Sequence, residues 1–375
     1  MKEATNKIGF RPTWAEINLT NLTHNFKQLK KLFSPEIKMM VCVKADAYGH
    51  GLITTSTKLA ALGVDYLAVA SIDEGISLRQ NYIKVPVLVL GMILEDHIRP
   101  LFKYNLIPAV PSESLALALN KEACRKGKPV KVHLKIDTGM GRLGVLAKNA
   151  PSFIKKINKL KFIDIEGIFT HLACADSNMY VTSDQIRIFN RLITELNKEK
   201  INIKLIHAAN SMGVIGYKKS HFNMVRPGLA IYGLYPKQGL KIKLKPVLSL
   251  KTRVVYSKRV PCGYGISYGH TYKTSKASTI LTLPIGYGDG YPRILSNKAP
   301  VLIRGRRYKV SGRVCMDHIM VDVGNHKFPI GEEVVLIGSQ GKEKISAAEL
   351  AYLGNTISYE IVCGIGSRVP RIYSN

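Results

Sequence analysis

The sequence predicts an α/β protein in two parts: an N-terminal (β/α)8 barrel over residues 1–242 and a C-terminal all-β domain over residues 243–375. Three observations carry that prediction. Eight short apolar, partly β-branched runs alternate with stretches whose apolar residues recur at spacings of three and four. Beyond about residue 240 the helical spacing gives way to closely spaced strand-like runs separated by Gly- and Pro-containing turns. No Gly-rich dinucleotide fingerprint follows the first run, which argues against the open, doubly wound sheet that shares the same alternation.

Taken in order, Thr13–Leu19 alternates like a half-exposed strand, and it is expected to join the C-terminal sheet before Asn21 opens the first helix. The eight barrel runs fall at 39–44, 66–71, 85–90, 106–110, 131–136, 164–170, 205–208 and 223–226, with helical spacing over 50–63, 112–126, 149–160 and 182–199. The β domain is read from Val247–Val260, Thr279–Pro284, Ala299–Ile303, Tyr308–Val314, Ile319–Val323 and Glu333–Ile337.

At 375 residues and 46% hydrophobic content the chain can bury a sizeable core. Met1 to Arg11 is polar and basic, so no secretory signal is expected, and no run is long enough to span a bilayer. The six cysteines are far apart and lack the Cys/His spacing of a zinc site, which predicts buried thiols in a reducing, cytoplasmic setting and no metal. The net charge of +29 invites a nucleic-acid reading. The lysines are spread through every segment, however, as in Lys27–Lys31 and Lys241–Lys243, without a basic run interleaved with aromatics. They are read as solvated helix faces, with no specific nucleic-acid partner.

The residue that points most directly to chemistry is Lys44, in Val-Cys-Val-Lys-Ala-Asp-Ala-Tyr-Gly-His-Gly at 41–51. A lone lysine at a strand end commonly snorkels to solvent. Desolvated, it would instead have a lowered pKa and form a Schiff base with an aldehyde cofactor. In a barrel, chemistry gathers at the carboxyl ends of the strands. Five of those ends carry polar groups in this chain: Lys44; Lys135, Asp137 and Arg142; His171; Asn210 and Ser211; and Arg226.

These motifs together resemble the bacterial alanine racemase family, whose members are pyridoxal-phosphate (PLP) enzymes, and the resemblance covers nearly the whole chain. It implies that Lys44 carries the cofactor and that Tyr48 lies at the same loop. Lys135-Ile-Asp-Thr-Gly-Met-Gly-Arg142-Leu-Gly144 is similar to the family's arginine loop, so Arg142 would hold the substrate carboxylate and meet the catalytic tyrosine. By the same resemblance Lys135 is carbamylated by carbon dioxide and holds Arg142 in place; the residues alone leave open an ammonium paired with Asp137. Thr170-His171-Leu-Ala173 resembles the segment whose histidine lies beside the cofactor. Asn210-Ser211 and Val225-Arg226-Pro-Gly228-Leu229-Ala-Ile-Tyr-Gly233 resemble the phosphate and ring-nitrogen segments, with Ser211, Gly228 and Leu229 on the phosphate. An arginine facing the ring nitrogen would leave it unprotonated, weakening the ring as an electron sink and favouring return of the proton to Cα.

In the β domain, Gly263–Tyr272 resembles the catalytic tyrosine segment and places that role on Tyr268, although its Tyr- and Gly-rich composition alone reads as a surface hairpin. The segments around Pro284–Tyr291 and Gly312–Asp317 imply Tyr287 and Arg313 in the substrate channel and the Met316 backbone near the substrate. Ser367 is read as standing where some family members place a pocket-narrowing tyrosine, which would admit serine. The resemblance therefore implies a cytoplasmic, homodimeric PLP enzyme that interconverts L- and D-alanine for peptidoglycan, with Lys44 and Tyr268 as opposed bases. The alternatives are a broader racemase that also uses serine, a decarboxylase of the same architecture, and a PLP-binding barrel without catalysis.

Overall fold

The computed structural model describes residues 10–375. The expected pairing of residues 1–20 with the C-terminal sheet is met by β1 (Thr13–Asn18), while residues 1–9 lie outside the described residues. β1 pairs antiparallel with β11 (Leu248–Arg253) and parallel with β21 (Arg371–Ser374), tying the chain's two ends together. The first helix, 19–30, opens one residue after β1 and not at Asn21. The Asn18 carboxamide accepts from the Asn21 amide at 2.7 Å, so Asn18 is the cap.

The barrel is built from β2 (Lys38–Cys42), β3 (Tyr66–Val69), β4 (Val87–Val89), β5 (Ile107–Val110), β6 (Val130–Asp137), β8 (Ile163–Phe169), β9 (Leu205–His207) and β10 (Met224–Val225). Each predicted run yields one of these strands, all parallel. β10 pairs with β2 and β5 with β6, which closes the sheet; the short β7 (Val145–Leu146) adds beyond the end of β6. Met40–Val43, Leu67–Val69 and Val87–Val89 are buried, as strands covered on both faces must be. Of the six thiols expected to be buried only Cys42, on β2, is; Cys124, Cys262 and Cys363 lie outside the barrel strands and are exposed. The four predicted helices appear at 52–61, 113–125, 150–158 and 179–198.

The second sheet runs β12-β15-β18-β17-β16-β19-β11-β1-β21. The long run expected over 247–260 is two strands, β11 and β12 (Tyr256–Val260), because β11 turns to β19 (Glu333–Gln340) whereas β12 pairs with β15 (Ser278–Leu283). β16 (Pro300–Ile303), β17 (Arg306–Val310) and β18 (Ile319–Asp322) complete the predicted series. Between β12 and β15 the chain makes a two-stranded ribbon from β13 (Gly265–Ile266) and β14 (Tyr272–Lys273), with Tyr268 at its tip, and β20 (Glu343–Ile345) pairs with β19. The helix 358–363 packs on the turn that follows β2, so the β domain reaches the barrel mouth.

Candidate active site

Lys44 begins a single turn, Lys44–Gly49, that winds left-handed: Ala45, Asp46, Ala47 and Tyr48 have φ of 53–55°. That conformation costs an L-residue about 1–2 kcal/mol, so four in succession persist only where tertiary bonds impose them. Those bonds are present. The Ala45 amide donates to Glu74 Oε1 at 2.6 Å and the Leu52 amide to Asp46 Oδ1 at 2.7 Å, while Arg371 Nε donates to the Gly49 carbonyl at 3.1 Å. Glu74 is itself fixed by the capping box at Ser71. The turn leaves Lys44 half-buried at the barrel mouth and folds Tyr48 inward, 8% exposed and stacked on Tyr232 with ring centroids 4.9 Å apart.

Tyr48 faces Gly228. A Cβ there would lie 2.5 Å from the tyrosine hydroxyl, so only glycine lets the backbone come this close. The Gly228 and Ala230 amides converge on Ser211 Oγ at 3.0 and 3.1 Å. Hydroxyls of Tyr48 and Ser211 beside converging amides make a donor set suited to a phosphate. Leu229 is buried in the same loop. Asn210 does not join this set: its Oδ1 accepts from the Gly213 amide and its Nδ2 donates to the Leu172 carbonyl, capping the turn that presents Ser211.

Arg226 is 3% exposed. Its Nη2 donates to the Thr170 and Ala208 carbonyls at 2.6 and 3.2 Å, its Nη1 donates to His207 Nδ1 at 2.6 Å, and it lies 5.2 Å over the Phe169 ring. Among the described residues it has no carboxylate partner, and burial lowers its pKa to about 10. Lys135 Nζ lies 5.0 Å from the centroid of the same Phe169 ring. Burial first, then Arg226 and Arg142 against the pull of Asp137, lower the Lys135 ammonium to about 7. No ion pair joins it to Asp137, whose Oδ1 accepts from the Gly139, Met140 and Gly141 amides. His171 is kept neutral by burial and by the charges of Arg226, Lys135, Arg142 and Lys44. Gln185 holds its segment, accepting from the Ala173 amide and donating to the His171 carbonyl.

The structure thus brings Lys44, Tyr48, Lys135, Arg142, His171, Ser211, Arg226 and Gly228 to one opening, with Arg142 exposed in the loop after β6. The β-domain residues stand elsewhere. Tyr268 is 69% exposed, in a separate cleft of about 480 Å³ lined with Ser267, His270, Cys315, Met316 and Asp317. Ser267 Oγ donates to the Arg313 carbonyl at 2.6 Å, and the Tyr287 amide donates to the Cys315 carbonyl at 3.0 Å, so all four of the expected β-domain residues share this region. Ser367 is exposed. Tyr359, which sequence reasoning did not single out, has its ring centroid 6.0 Å from that of Tyr48. His133 and His207 were not singled out by sequence reasoning; the available signal is that His133 is two residues before Lys135 on the same strand and so shares its face.

A lysine at a barrel-strand end, an anion cradle and an exposed tyrosine on an appended β domain define a class of two-domain barrel enzyme with an anion-binding mouth. Residues 17–236 match the family model described as alanine racemase, N-terminal domain, and residues 247–373 that of the C-terminal domain. The chain belongs to the alanine racemase family. It is 51% identical over 374 residues to the alanine racemase of Halothermothrix orenii, covering 99% of each chain, and 45% identical over 368 residues to that of Carboxydothermus hydrogenoformans, covering 97% of this chain and 100% of the relative. Among solved structures it superposes on an alanine racemase of Clostridium difficile with a TM-score of 0.93 at 39% identity, covering 98% of this chain and 97% of that one. The Bacillus anthracis alanine racemase with bound L-Ala-P gives 0.93 at 35% identity, covering 98% and 96%.

Proposed function

We propose that this chain is a cytoplasmic PLP-dependent racemase that interconverts L- and D-alanine, supplies D-alanine for peptidoglycan, and works as a homodimer. The observation that carries this reading is the convergence at one opening of a strand-end lysine, three further cationic side chains and the Ser211–Gly228–Tyr48 cradle. Bound PLP would supply an aldehyde for the lysine amine and a conjugated ring that withdraws electrons from Cα. Tyr48, Ser211 and the Gly228 amide would hold its phosphate, and Arg226, a donor that stays charged at neutral pH, would face the ring nitrogen. A carboxylate at that place would suit a decarboxylase; the position here is an arginine.

The amine of Lys44 removes or returns the Cα proton on one face, and Tyr268 of a second copy does so on the other. The exposure of Tyr268 in a cleft that no barrel-mouth residue lines supports a site completed across two chains. Arg142 takes the substrate carboxylate in a bidentate grip and donates to the Tyr268 oxygen, favouring its phenolate. Lys135, carbamylated, would hold Arg142 through charge-assisted hydrogen bonds; its lowered pKa leaves an amine able to react with carbon dioxide. Ser367, a small side chain where some family members place a tyrosine, leaves serine as a competing substrate. Among the described residues no helix is long and apolar enough to cross a membrane.

Borohydride reduction of the purified protein followed by peptide mapping tests the reading. The cofactor should be fixed to Lys44 and absent from Lys44→Ala; attachment to another lysine would overturn it.

A further inference from the structure

Behind Arg226 lies a line of buried polar side chains that the proposed reaction does not use. His207 Nδ1 accepts from Arg226 at 2.6 Å, His207 Nε2 meets His133 Nδ1 at 2.7 Å, and His133 Nε2 meets Glu166 Oε2 at 3.3 Å. Glu166 also accepts from Lys131 Nζ at 2.5 Å. It lines a cleft formed with Tyr66, Arg79, Lys84 and Lys128, among residues that begin β3, β5 and β6, at the end of the barrel opposite Lys44. Both histidines are fully buried and Glu166 is 5% exposed. Gly167, opposite His133 on β8, makes room for it: a Cβ there would lie 2.7 Å from the ring.

The direction of every bond in this line follows from one fact. Guanidinium only donates. His207 Nδ1 must therefore be bare, and a neutral His207 carries its proton on Nε2 and donates to His133. His133 then accepts at Nδ1 and carries its proton on Nε2, aimed at Glu166. We propose that Glu166, acting through His133 and His207, is the counter-charge and positioning group of Arg226, so that a carboxylate at the closed end of the barrel holds the guanidinium at the cofactor end charged and in one orientation. A buried guanidinium without a carboxylate is costly, and this one-way chain is its only link to an acid among the described residues. The neutral state that the geometry requires also follows from the environment. Burial lowers His207 well below the usual imidazole range and outweighs Glu166 in lowering His133. Burial raises the Glu166 carboxyl, but the hydrogen bonds from His133 and Lys131 and the Lys131 charge outweigh it and hold the group at about 2.

The inference rests on the reading that Arg226 faces the bound ring, and its tests separate the two. Neutron diffraction from deuterium-exchanged holoenzyme crystals at neutral pD should show deuterium on Nε2 of both rings, bare Nδ1 atoms and an ionised Glu166. Deuterium on His207 Nδ1, or a doubly protonated ring at either site, would overturn it. In solution, Glu166→Gln keeps an acceptor for His133 but removes the charge, whereas Glu166→Asp keeps the charge. Glu166→Gln should shift the bound-cofactor absorbance in the same direction as Arg226→Lys. It should also lower kcat roughly tenfold, the low end of what losing a group that orients a ligand costs at metal sites, with the alanine KM within about twofold; Glu166→Asp should restore most of both. A spectrum that responds to Arg226→Lys but not to Glu166→Gln sinks the relay. A spectrum indifferent to Arg226→Lys as well sinks the placement of Arg226 at the ring.

Discussion

Lys135 offers the sharpest test of how burial sets this site's chemistry. A fall of its ammonium from 10.5 to about 7 raises the unprotonated fraction at pH 7 from roughly one in three thousand to about half. At 1.36 kcal/mol per tenfold this is about 5 kcal/mol against the charged form. Because the unfolded chain binds that proton more tightly, the unmodified protein gains stability as pH rises from about 7 towards 10.5. Reaction with carbon dioxide, as proposed, would remove the buried cation altogether and give Arg142 an anionic partner. Loss of that partner should cost about 1.5–3 kcal/mol, the value of a hydrogen bond to a charged group, or roughly 10- to 100-fold in alanine KM. The assay is ¹³C NMR of the holoenzyme in ¹³C-bicarbonate at pH 8, with kinetics in buffer stripped of carbon dioxide. One carbamate resonance, lost in Lys135→Met, and an elevated KM in stripped buffer that bicarbonate reverses are expected. Absence of a Lys135-dependent resonance, together with an unchanged KM in Lys135→Met, would refute the argument.

Tyr268→Phe should slow proton removal from L-alanine by at least roughly a hundredfold, the low end for a lost general base, while leaving the cofactor spectrum unchanged; equal, mild losses for both enantiomers in solvent-exchange measurements would remove Tyr268 from that role. Gly228→Ala places a methyl 2.5 Å from the Tyr48 hydroxyl, so the purified protein should carry much less cofactor per chain and release the remainder faster in dialysis. Full, tightly held cofactor in that variant would show that the cradle is elsewhere.

The barrel strands were legible because parallel strands covered on both faces must be continuous apolar runs, and each run became a strand. Local rules failed where distant contacts decide. Within Ala45–Tyr48 only Asp46 is a residue type that tolerates φ > 0, and the left-handed turn is imposed by bonds to Glu74, Asp46 and Arg371. Asn18 and Asn21 are equally good caps in sequence; β1 ends early because its partners in β11 and β21 do. His133 and His207 read as ordinary strand residues, since only the strand order β6-β8-β9-β10, with Gly167 on β8 leaving room for the His133 ring, sets His207 beside both His133 and Arg226. Tyr268 was legible as a motif, but its 69% exposure arises from a ribbon that the alternation of the β domain does not announce.

The charge balance at the opening explains why its parts belong together. Lys44, Lys135, Arg142 and Arg226 all act on His171. The acid that faces Lys135, Asp137, spends its carboxylate on three loop amides. Buried cations without acids are unfavourable unless other anions arrive, and the proposed chemistry brings three: a cofactor phosphate, a substrate carboxylate and a carbamate. Two of these come and go with ligand, which leaves Arg226 as the cation whose balance must be permanent. A direct carboxylate there would protonate the ring nitrogen and strengthen the electron sink. Moving the acid two histidines away keeps the guanidinium charged while presenting only its N–H face to the ring, so the distance between Glu166 and Arg226 is itself the device that separates charge balance from ring protonation.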